Sequence, residues 1–98
     1  MEKASDNTFE EKLYKSFAQL DTVESVHAFL QDLCTPKEIQ DMAQRLKVAQ
    51  MLDQNSSYTQ IQEQTGASAT TIARVSRAIQ YGSKGYQKVL AFLKKESI

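Results

Sequence analysis

The chain predicts an all-α protein, and three observations carry that prediction. Apolar residues recur at i, i+3, i+4 and i+7 through most of its 98 residues. No segment shows the period-two alternation of a strand, and hydroxyl or aspartate side chains followed three residues later by Glu or Gln mark one helix start after another. Five to six helices fit, with no internal repeat and no dividing linker, so residues 1–98 read as one domain.

Residues 1–7 are polar and expected to be mobile. Thr8 with Glu11 makes the first capping pair, and Phe9, Leu13, Phe17 and Leu20 follow at helical spacing, giving a helix to about Leu20. Asp21 with Glu24 repeats the capping pattern, after which Val23, Val26, Phe29, Leu30 and Leu33 form a second apolar stripe ending near Cys34. Thr35-Pro36-Lys37-Glu38 is the strongest start signal: Thr as N-cap, Pro where a missing N–H costs nothing, and Glu three residues after the Thr. That third helix should reach about Asp53. It would turn Ile39, Met42, Ala43, Leu46, Ala49 and Leu52 inward and leave Lys37, Gln44, Arg45 and Lys47 toward solvent or a partner.

The segment Ser57 to Ile79 says most about function. Ser57 and Gln60 can cap each other reciprocally, Tyr58 and Ile61 share a face, and Gly66 supplies the left-handed residue that stops a helix without a Cβ clash. Ser68 can then cap the N–H of Thr70 or Thr71 and open a second helix with Ile72, Val75 and Ile79 on its apolar face. Ser68, Thr70, Thr71, Arg74 and Arg77 occupy the other face. Two short helices hinged at a glycine form the pattern of a helix-turn-helix, whose second helix enters a DNA major groove. On that reading Ser68, Ala69, Thr70 and Thr71 would face base edges. Arg74, Arg77 and Lys84 would meet phosphates, with Ser57 and Gln60 as further donors. Tyr81-Gly82-Ser83-Lys84-Gly85 breaks the second helix, and Tyr86, Val89, Leu90 and Leu93 mark a last amphipathic one.

An ordinary pair of helices with a solvated face has the same spacing, so charge layout matters. Twelve basic residues balance twelve acidic ones, but residues 1–34 hold three basic and seven acidic side chains, against nine and five in 35–98. From Tyr58 onward Arg74, Arg77, Lys84, Lys88, Lys94 and Lys95 face only Glu63 and Glu96. A polyanion such as double-stranded DNA suits that half; attraction between the two halves or to a neighbouring subunit is the alternative.

Cys34 is the single cysteine, which excludes an intramolecular disulfide, gives no zinc pattern and fits a reducing compartment. With no leader pattern and no apolar run of roughly 18 residues, a cytoplasmic protein without a membrane partner is expected. His27, the single histidine, lies beside Val26 and Phe29 as a boundary residue, and no phosphate loop or metal cluster stands out, so no enzyme, metal or cofactor is expected. The first two helices carry more large apolar side chains than so short a chain can cover. This predicts an interlocked homodimer in which they and the last helix pack across a two-fold axis, doubling the helix-turn-helix for a two-half-site operator.

Between about Leu33 and Leu93 the chain resembles the tryptophan repressor superfamily, within it the Trp-repressor-related group of the YerC/YecD type. Carrying the resemblance are Leu33-Cys34-Thr35-Pro36-x-Glu38, Arg45, Ser57, and the run from Thr65-Gly66-Ala67-Ser68 to Ala73-Arg74. It implies an all-helical intertwined homodimer acting as a sequence-specific transcriptional regulator. It also implies an amino-acid co-repressor between the third helix and the recognition helix, with Arg45 and Arg74 on its two sides and Thr71 facing both ligand and DNA. Val75 departs from the pattern, because the family's tryptophan binders have glycine there. Three added carbons overpack a close-fitted site, which costs about 1 to 3 kcal/mol for even one or two methylenes. Either the protein's own side chains fill the pocket and DNA binding is constitutive, or a smaller or different ligand is used. A protein-interaction module that keeps the helix-turn-helix shape without DNA is the remaining alternative.

Overall fold

A computed structural model describes residues 8–96, which form six helices: α1 Thr8–Ala18, α2 Val23–Leu33, α3 Pro36–Asp53, α4 Tyr58–Thr65, α5 Ala69–Tyr81 and α6 Gly85–Glu96. No strand occurs among the described residues, and the expectation for residues 1–7 lies outside them. The chain divides after Ile39 into two compact units.

The first unit holds α1, α2 and the start of α3. α1 stops at Ala18, two residues short of the predicted end. The Asp21–Glu24 pair does not cap α2; Thr22 does, its hydroxyl accepting the Ser25 N–H at 3.0 Å. Thr22 sits in the extended conformation (φ −130°, ψ 154°) that an N-cap requires, and the helix therefore begins one residue later than the Asp–Glu spacing implied. Phe17 and Phe29 meet edge to face, centroids 5.1 Å apart. Neither helix buries a residue, and Phe9, Val23 and Leu33 are 86%, 82% and 50% exposed. Leu20, Val23, Val26, His27 and Leu30 help line an open, mostly apolar groove of about 530 Å³. α3 starts as expected: Thr35 N–H donates to Glu38 Oε1 at 2.8 Å, and Glu38 N–H to Thr35 Oγ1 at 3.1 Å.

The second unit is built on one core. Val48, Ala49 and Met51 of α3 pack with Ile61 of α4, Ala67 of the following turn, Ile72 and Val75 of α5, and Leu90 of α6. Val48, Ile61 and Ile72 are fully enclosed, and burial of each aliphatic side chain contributes about 2 kcal/mol. The buried face of α3 differs from the predicted one. Met42 and Ala43 are exposed, whereas Val48 and Met51, absent from the predicted stripe, are buried. Ala49 and Leu52 face the core as predicted, and the rest is tertiary: residues of α4, α5 and α6 share one core with Val48 and Met51, which the helix's own periodicity did not single out. Tyr58 is half-exposed although Ile61 beside it is enclosed, and in α6 Leu90, not Val89, enters the core.

Candidate nucleic-acid interface

The two helices that present the candidate interface are fixed at each start by a hydroxyl. Ser57 Oγ accepts the Gln60 N–H at 3.1 Å while Gln60 Oε1 accepts the Ser57 N–H at 2.9 Å, completing the predicted capping box. α4 ends at Gly66, whose φ of 74° is the left-handed conformation and whose N–H reaches the Gln62 carbonyl at 2.9 Å. Two residues on, Ser68 Oγ accepts the N–H of Thr71, deciding between the two predicted partners, and its hydroxyl donates to Thr71 Oγ1 at 3.2 Å. α4, a three-residue turn and α5 thus form a helix-turn-helix with local hydrogen bonds at each junction.

α5 divides by face as the spacing required. Ile72 and Val75 are buried and Ile79 packs against the core, while Thr70, Arg74 and Arg77 are exposed on the opposite side. Ser68 and Ala69 are exposed at the start of the helix and Thr71 is half-buried on its flank, its hydroxyl already engaged with Ser68. Ser57 and Gln60 are exposed at the start of α4. Tyr81, which sequence reasoning left out of the interface, extends the polar stripe of α5 one turn beyond Arg77 and is 78% exposed; its i+4 spacing from Arg77 is the signal that could have found it. Among the described residues no carboxylate pairs with Arg45, Arg74, Arg77 or Lys84.

Lys84 lies in the connection to α6 with φ 72°, so the left-handed residue of that break is a lysine rather than either neighbouring glycine. Gly82 is needed for another reason: a Cβ there would collide with the backbone carbonyl of Ala78, which accepts the Gly82 N–H at 2.9 Å. Of the residues expected to line a ligand pocket, Arg45 and Arg74 are exposed, Thr71 is half-buried, and Val75, 3% exposed, belongs to the core. Among the described residues no cluster of three or more His, Cys, Asp or Glu could hold a metal ion, and no helix is long and apolar enough to cross a membrane.

An all-α chain with this capped pair falls in the class of helix-turn-helix proteins. Residues 10–94 match the family model described as Trp repressor protein, and the chain belongs to that family. It is similar to the uncharacterised protein YerC of Bacillus subtilis (strain 168), 42% identical over 85 residues that cover 87% of this chain and 82% of that protein. Two solved structures are also similar. A Staphylococcus aureus protein provisionally described as a Trp repressor has a TM-score of 0.83 at 37% identity, covering 89% of this chain and 87% of its own. A TrpR like protein from Eubacterium eligens ATCC 27750 has a TM-score of 0.81 at 39% identity, covering 86% and 87%. Membership points to a helix-turn-helix regulator of transcription.

Proposed function

We infer that this protein is a sequence-specific, DNA-binding transcriptional regulator that works as a homodimer and does not require tryptophan. The observation that carries the reading is the division of α5: Thr70, Arg74 and Arg77 project opposite the buried Ile72 and Val75, with no carboxylate among the described residues pairing with either arginine. A helix about 10–12 Å across fits a major groove about 12 Å wide, and in a helix-turn-helix the N-terminal residues of the second helix contact the base edges. Ser68, Ala69, Thr70 and Thr71 form that end. Arg74, Arg77 and Lys84, farther along, suit phosphates as bidentate or point-charge donors, and Ser57 and Gln60 add donors at the start of α4.

Dimerisation rests on the first unit, where no residue of α1 or α2 is fully buried and Phe9, Val23 and Leu33 are exposed. A second copy would cover that surface and bring two recognition helices to half-sites about one DNA turn apart. Independence from tryptophan rests on Val75, whose side chain takes part in the core beside α3. Admitting an indole there requires its displacement. Selection of bound fragments from random DNA by the purified protein tests the reading; enrichment of a two-fold symmetric motif supports it, and its absence at low salt leaves an interaction module instead.

A further inference from the structure

Resting on that DNA-reading role, we propose that Gln44 of α3 is a positioning residue for α5. Its side-chain amide would hold the turn that aims the recognition helix. The last carbonyls of a helix have no partner within it, and the carbonyl of Thr65, the final residue of α4, receives the Gln44 Nε2–H at 3.1 Å. Thr65 is secured twice more: its hydroxyl donates to the Ile61 carbonyl at 2.7 Å and accepts the Ala67 N–H at 3.1 Å. Only Gly66, Ala67 and Ser68 separate this anchored residue from α5.

Gly66 is the conformationally free member of the three, and a Cβ built on it meets nothing within 4 Å. Packing therefore does not hold Gly66 itself; the bonds to Thr65 and the burial of the neighbouring Ala67 hold the turn. A tilt of about 10° at the turn moves a group about 5 Å from it, the reach of Ser68 to Thr71, by about 0.9 Å, and one about 12 Å along the helix, at Arg77, by about 2 Å, whereas base readout needs groups placed within about 0.5 Å. Gln44 is half-buried, so water competes less for the Thr65 carbonyl than at a surface site. At the other end of α5, Gln87 Nε2 donates to the Ile79 carbonyl at 3.0 Å, but at an exposed site, and is a matched control of smaller effect.

The test compares Gln44→Met, which keeps length and neutrality but removes the donor, with Gln87→Met, each titrated against the selected DNA site and against random DNA. Loss of one well-placed hydrogen bond corresponds to about tenfold. We expect Gln44→Met to lower the ratio of specific to random affinity by about that factor while random binding holds, and Gln87→Met to change it little. Backbone amides of Gly66 and Ala67 should exchange faster in Gln44→Met. In the wild type, Gln44 side-chain N–H protons should exchange more slowly than those of Gln87, a measurement that stands even if the variant fails to fold. Undiminished discrimination in a folded Gln44→Met, or Gln44 protons exchanging as fast as those of Gln87, overturns the positioning role alone. A wild type that cannot distinguish the two DNAs overturns the DNA-reading function instead, and the exchange data then decide whether Gln44 holds the turn.

Discussion

Thr71 and Arg74 lie one turn apart on α5 and should fail differently when truncated. Arg74→Ala removes an exposed charge with no described carboxylate partner, so it should weaken binding to all sequences alike. The salt dependence should flatten by about 0.9 in log–log slope for each phosphate that the protein no longer neutralises. Thr71→Ala should instead reorder the preferred sequences. Anisotropy titrations of several duplexes at several salt concentrations separate the two outcomes. Ser57→Ala, which removes one half of a complete capping box, should cost about 1 kcal/mol in urea unfolding. Such caps could be read from the sequence because partner and helix start lie three residues apart. The Gln44–Thr65 bond could not, since its ends are 21 residues apart and only the fold brings them together. Thr22 escaped for a subtler reason, as two adjacent residues offered the same capping chemistry and only backbone geometry selected one.

At the scale of elements, the α5–α6 connection invites a paired experiment. Gly82→Ala would push a Cβ against the Ala78 carbonyl and should destabilise by about 1 to 3 kcal/mol, the range for a forced backbone shift. Lys84→Gly should do the reverse, relieving a left-handed lysine worth about 1 to 2 kcal/mol, while weakening DNA binding because a positive charge is gone. Raised thermal stability with lowered affinity in one variant would show that Lys84 is retained for binding rather than for folding. All six helices were foreseeable because capping, Pro36 and Gly66 act locally and the apolar period is strong. The buried face of α3 was foreseeable only at Ala49 and Leu52, because Val48 and Met51 are selected by what packs on them and not by the helix's own periodicity.

For the whole molecule, the proposed homodimer rests on the exposed apolar surface of α1 and α2. Val23→Glu alters a side chain that is 82% exposed in the single chain, so helical content should survive. Sedimentation equilibrium at micromolar concentration should show two chains for the wild type and one for the variant, with specific DNA binding abolished alongside. The resemblance and the family match agree on the kind of protein, and the proposed independence from tryptophan turns on Val75. In the proposed function, a close-packed core residue at that place sets the recognition helix without a ligand. The most direct test is selection from random DNA by the purified protein, run in parallel with and without L-tryptophan. The account predicts the same two-fold symmetric motif at equal enrichment in both. A motif that emerges only with tryptophan would contradict it, as would no motif in either.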